Sequence, residues 1–284
     1  MRFRNKSLAL VLFCLLAASG VSAKPLNLMT YNIRLDVASD GANAWVNRKD
    51  FLTSQISFYE PDIFGVQEAV PGQMADLRRM LPDYESFGIG REGGEKGEFS
   101  ALFYLRSRFK RLDGSTFWLS ETPDVVSKGW DASYLRVCTY ALFYDKQSKK
   151  RFWVFNTHLD NNGAQAREKG VELILNRIGE LNRKGYPVVF MGDLNSEPES
   201  KLILDLRAKM SDTRLASETK PFGPEGTFNG FKFDQPVERL IDYIFVSNDK
   251  KLAVRKYGVL SDSKALRYPS DHFPVFVTVE IGRK

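Results

Sequence analysis

Along most of the chain, stretches rich in β-branched and aromatic residues alternate with apolar stripes at helical spacing. The strand-like stretches lie at 26–33, 62–66, 100–105, 136–144, 152–158, 188–191, 241–246 and 275–281. Helical patterns occupy 45–59, 73–80, 164–181 and 200–209. The third puts Val171, Leu173, Ile174, Leu175, Ile178 and Leu181 on one broad stripe, with Arg167, Glu168, Arg177 and Glu180 largely elsewhere. Helices alternate with strands early, but strands follow one another from Glu98 to His158. This order predicts an α/β fold of mixed or antiparallel sheets covered by helices, not a simple doubly wound parallel sheet. No repeat, low-complexity run or Pro/Ser-rich linker interrupts it, so one domain is expected over 24–284.

The first 23 residues read differently. Arg2, Arg4 and Lys6 precede an apolar run at 8–18, which falls short of the roughly 20 residues a membrane span needs. Val21-Ser22-Ala23 then matches a signal-peptidase site. A signal peptide over 1–23, cleavage near Ala23, and export to the periplasm or medium are expected, leaving no transmembrane span in the mature chain. Cleavage removes three of the 41 basic residues and none of the 35 acids, so the net charge falls from +6 to +3. The case for a nucleic-acid surface weakens accordingly. Only Cys138 of the two cysteines remains, which excludes an intramolecular disulfide. With 43% hydrophobic residues, 13% of the chain aromatic, the fold must stand on its own core.

Most of the strand stretches end in polar clusters: Tyr31-Asn32, Gln67-Glu68, Asn156-Thr157-His158-Leu159-Asp160 and Gly192-Asp193-Leu194-Asn195. Asp242 sits inside the apolar stretch 240–246, and Ser270-Asp271-His272 precedes the last strand. Both histidines of the chain fall within these clusters. Strand ends display side chains rigidly into a cleft, and these residue types suit metal-assisted phosphoester hydrolysis. Asn32, Glu68 and Asp271 are candidate oxygen ligands for magnesium or manganese. Asp193 with Asn195 is a candidate to activate and orient water, and Asp242 is a candidate partner to orient the His272 imidazole.

In order and context, Tyr31-Asn32-Ile33-Arg34, Gln67-Glu68, the Asn156 to Asp160 run, Gly192-Asp193-Leu194-Asn195, Arg239 to Phe245 around Asp242, and Ser270-Asp271-His272-Phe273-Pro274-Val275 resemble the successive motifs of the endonuclease/exonuclease/phosphatase superfamily. The resemblance runs from 26 to 279. It implies a four-layer α/β sandwich, two packed sheets with helices outside and the site at one edge. It also implies that Asn32 and Glu68 hold the metal with Asp271 as a further ligand, that Asp193 activates water, and that Asn195 positions the phosphate or that aspartate. His158 and His272, the latter oriented by Asp242, would bind phosphoryl oxygens, and Asn156 would brace the site beside His158 as a substrate-binding residue. The run from Phe117 to Pro123, with Gly129-Trp130-Asp131-Ala132 and Arg136, further resembles secreted bacterial members near the deadenylase-like branch, with Arg136 over the phosphate. Trp118 and Trp130 are expected in the core before any stacking role, and Glu98 at the surface.

Two other classes compete with an exported metal-dependent phosphodiesterase or phosphatase: a secreted nuclease on the same motifs, and a non-catalytic binding protein on the same sandwich. The low net charge, with Lys149-Lys150-Arg151 and Lys250-Lys251 at expected hairpin turns, favours a small phosphoester over long DNA or RNA. The chain is expected to be a monomer. Substrate choice is assigned to the loops 38–44, 88–97, 124–131 and 220–234.

Overall fold

The computed structural model describes residues 25–249 and 251–282, so the expected signal peptide lies outside the described residues. In chain order the elements are β1 (Leu26–Asn32), α1 (Trp45–Tyr59), β2 (Ile63–Gln67), α2 (Pro71–Met80), β3 (Tyr84–Phe87), β4 (Leu102–Leu105), β5 (Phe109–Trp118), β6 (Val137–Asp145) and β7 (Arg151–His158). The second half adds α3 (Ala164–Leu181), β8 (Val188–Asp193), α4 (Lys201–Lys209), β9 (Met210–Asp212), α5 (Thr213–Ala216), β10 (Asp242–Ser247), β11 (Leu252–Val259) and β12 (Val275–Ile281). A 3₁₀ segment at Ala38–Asn43 leads into α1.

The strands form two six-stranded sheets, ordered β11-β12-β1-β2-β4-β3 and β5-β6-β7-β8-β10-β9. Each has one parallel pair, β1 with β2 and β7 with β8, and antiparallel neighbours otherwise. Between the sheets lies a layer built from Leu28, Ile63, Leu102, Phe143, Phe152, Val189, Ile244 and Val277. The outer face of the first sheet packs Phe64, Val66 and Phe103 on Leu52 and Ile56 of α1 and Met74 and Leu77 of α2. That of the second packs Phe155, Phe190 and Phe245 on Val171 and Ile174 of α3 and Ile203 and Leu206 of α4. The chain is thus a four-layer α/β sandwich, as the strand and helix patterns together with the family resemblance imply. Among the described residues, no helix is long and apolar enough to cross a membrane.

A buried ion cluster closes the end of the sandwich away from the polar strand ends. The Arg108 guanidinium, 3% exposed, lies 2.8 Å from Asp62 before β2 and 3.0 Å from Asp145 at the end of β6. Burial alone would push the Asp145 carboxyl up, but Arg108, the Gln147 N–H and Ser148 hold it below the usual carboxylate range. Arg108→Met would leave two carboxylates buried without that cation, and should cost about 3–5 kcal/mol near neutral pH. The parent's advantage from a depressed carboxyl exists above the ordinary aspartate value and is lost as pH falls through the folded one. The difference between the proteins should therefore narrow below about pH 4. Urea unfolding of both at neutral and acid pH measures it, and equal stability at neutral pH would show the cluster to be incidental.

Candidate active site

Sheet register brings the polar clusters together. In the parallel pairs Asn32 stands beside Gln67 and His158 beside Asp193, so four strands end at one edge. The antiparallel β10 and β12 begin at that edge, with Asp242 opposite Asp193 and Val275 opposite Thr30. Residues far apart in sequence therefore meet at the same rim of both sheets. There they surround a cleft of about 600 Å³, lined among others by Glu68, Arg136, His158, Asp193, Asn195, Asp271 and His272.

Three of the residues leave the strands with left-handed backbone: Arg34 at φ 55°, Glu68 at φ 64° and Asn195 at φ 46°. Such strain in non-glycine residues gathers where side chains must be aimed. Asn32, fully buried, donates both Nδ2 protons, to Glu68 Oε1 at 3.1 Å and Asp193 Oδ2 at 3.0 Å. Its Oδ1 accepts the Arg34 N–H, and Glu68 Oε2 accepts the Leu35 N–H. Asp193 Oδ1 accepts the Asn195 N–H at 2.9 Å, while Oδ2 lies 3.4 Å from His158 Nε2 and 3.8 Å from His272 Nε2. His272 Nδ1 meets Asp242 Oδ2 at 2.8 Å, and the same oxygen accepts the Thr227 hydroxyl at 2.6 Å.

The two imidazoles are driven to opposite charge states. Burial opposes protonation of His272, but Asp242, its hydrogen bond, Asp193 and Asp271 outweigh it and push the value up to about 10. Burial and the cations Arg136, His272 and Arg91 push His158 well down, and His158 Nδ1 finds no hydrogen-bond partner among the described residues. Burial, then Asp242, pushes Asp193 up to about 7 against the pull of His272. Burial, with Glu68, likewise raises Asp271 despite His272, Arg34 and Arg48.

The donor set fits a hard divalent cation: the carboxylates of Glu68 and Asp271 line the same cleft, where the charge of Glu68 is felt at Asp271, and the Asn32 amide touches Glu68 through its Nδ2. Asp193, Asp242 and His272 also offer ligand atoms all within 4.8 Å of one another. In that second set His272 Nδ1 and Asp242 Oδ2 already engage each other and Thr227, the arrangement of a carboxylate orienting an imidazole.

Two expectations need correction. Asn156 does not reach the cleft. It is fully buried, donates to Val66 O and Ala101 O and accepts from Gln67, tying the sheets together beneath His158. Gly65 is required there, because a Cβ would stand 2.5 Å from the Asn156 amide. Glu98 is not a surface carboxylate: it lines the cleft 2.8 Å from Arg91. Trp118 is buried as expected, its indole donating to Arg91 O. Sequence reasoning missed Thr227, Arg91 and Tyr134, which lie on loops without periodicity, and Arg48 of α1. That guanidinium is 4% exposed and donates to five backbone carbonyls: Asn43, Ile33, Arg34, Leu35 and Pro269.

The model of the Endonuclease/Exonuclease/phosphatase family matches residues 29–272. A mannosyl-6-phosphatase of Bacteroides thetaiotaomicron superposes with a TM-score of 0.85 at 36% identity, over 89% of this chain and 99% of that one. A second protein of that organism, an endonuclease/exonuclease/phosphatase family protein, gives 0.86 at 35% identity over 91% and 98%. Rat nocturnin is 23% identical over 88% of this chain, which spans 64% of nocturnin's length.

Proposed function

We propose, from the premise that this chain belongs to the endonuclease/exonuclease/phosphatase family, that it hydrolyses small phosphomonoesters with a divalent cation, magnesium or manganese, outside the cytoplasm. The observation that carries this reading is the meeting of Glu68, Asp193, Asp271, His158, His272 and Arg136 around one cleft. The phosphatase similarity at 36% identity supports a monoester, and the low mature charge supports a small one.

Asn32, Glu68 and Asp271 would hold the cation, which when bound draws charge from the phosphoryl oxygens. Asp193 accepts a proton from water as the water oxygen bonds phosphorus, with Asn195 N–H fixing the carboxylate. The phosphorus–oxygen bond to the alcohol breaks, and the departing oxygen takes its proton from solvent. His272, held cationic by Asp242, donates to the phosphoryl oxygens, neutral His158 stands beside it with Nε2 against the Asn195 amide, and Arg136 offers its guanidinium at the same wall. Export follows cleavage near Ala23.

The test is activity on p-nitrophenyl phosphate, bis-p-nitrophenyl phosphate, sugar phosphates and duplex DNA, with magnesium and with excess EDTA. Turnover of a monoester that chelation abolishes and magnesium restores is the expected result. Full activity in EDTA would sink the metal assignment. Tight duplex binding with a steep salt slope and no monoester turnover would favour a nuclease.

A further inference from the structure

One wall of the cleft carries side chains that the hydrolysis above does not use. Arg91 and Glu98 stand on the loop between β3 and β4, with Arg91 Nη2 2.8 Å from Glu98 Oε1. Tyr134, on the loop between β5 and β6, is 47% exposed, and the guanidinium carbons of Arg91 and Arg136 lie 5.2 and 5.6 Å from its ring. The wall is built rather than loose. Trp118 donates to Arg91 O, the Arg91 N–H to Glu98 O, and Asp160 accepts the N–H groups of Ser133 and Tyr134.

Its charge limits what it can hold. Arg34, Arg91 and Arg239 each have a carboxylate within 3.2 Å, from Asp40, Glu98 and Glu197. Arg136 has Asp160 only at 3.5 Å, and that carboxylate already accepts four backbone N–H groups. The cleft therefore has cationic capacity for one phosphoryl group, and a second phosphate against this wall would meet Glu98. Tyr134 already spends its ring on two guanidinium groups, which leaves its hydroxyl and the Arg91–Glu98 pair as the polar features of this wall. A hydroxyl both donates and accepts, and a row of them matches a guanidinium paired with a carboxylate.

We propose that Arg91, Glu98 and Tyr134 bind the alcohol half of the substrate and select a polyol, so that the substrate class is a sugar monophosphate. The inference rests on the monoester reading above. The measurement is the ratio of kcat/KM for the best of a set of hexose 6-phosphates to that for p-nitrophenyl phosphate, whose leaving group carries no further hydroxyl. In Glu98→Gln, which keeps the shape of the side chain, the ratio should fall about tenfold or more, because hydroxyls lose a charged acceptor. Tyr134→Ala, on an exposed ring, should lower it in the same direction and decides the matter if Glu98→Gln does not fold. A smaller change, or equal loss on both substrates, overturns the subsite while leaving the hydrolase intact. A wild-type protein inactive on every monoester with magnesium overturns both readings.

Discussion

Asp193→Asn should lower kcat by about 10³-fold or more while KM moves only a few-fold. A general base contributes about 10²–10⁴ in rate, and this carboxylate also fixes the water it would deprotonate. The amide keeps the size of the side chain and can still accept the Asn195 N–H, so the site should keep its shape while losing the proton acceptor. Steady-state kinetics at saturating magnesium measure the split. A variant with wild-type turnover, or one that loses only KM, would remove Asp193 from the chemistry. Stability should move the other way. In chelated protein the carboxyl is raised to about 7 by burial and Asp242, so its ionised form destabilises the fold as pH rises from about 4 towards 7. A neutral amide escapes that cost, and the variant should melt at or above the parent at neutral pH. Activity and stability would then be traded at one position.

The second large effect is expected from the pair Asp242 and His272. His272→Ala should lower kcat by about 10²–10³-fold, the usual loss for one donor aimed at developing charge. Asp242→Asn should approach the same loss, because the carboxylate is the main influence holding the imidazole cationic against burial. If Asp242 acts only through His272, the double variant should be little worse than His272→Ala. Losses that multiply would give Asp242 a separate task, such as holding the cation with Asp193.

Which parts of this molecule could be read from its residues follows from where water reaches. The eight strands named from sequence are the eight interior strands of the two sheets, and the four not named are the four edges, β11, β3, β5 and β9. Interior strands are buried on both faces and read as apolar runs. An edge such as β5, Phe109–Trp118, is exposed along much of its middle and reads as Lys, Arg, Asp and Gly. The catalytic candidates were legible because strand ends concentrate them in short motifs. Glu98 and Tyr134 were not, since only the folding back of two loops makes them neighbours. Asn156 was legible as a polar residue beside His158, but sequence could not tell a side chain facing the cleft from one sealed beneath it.

Arg48 bears on how this site fails. Its five donors join α1 to the turn that carries Asn32 and receives Glu68, and to the carbonyl just before Ser270-Asp271-His272. A buried cation whose hydrogen bonds among the described residues all go to backbone oxygens, with the Trp45 and Phe231 rings against it, loses several of them together when one of those segments shifts. The helix and the rim of the cleft are thereby fused into a single cooperative opening unit. The centre will not fray residue by residue on heating; it persists whole until α1 detaches, and is then lost at once.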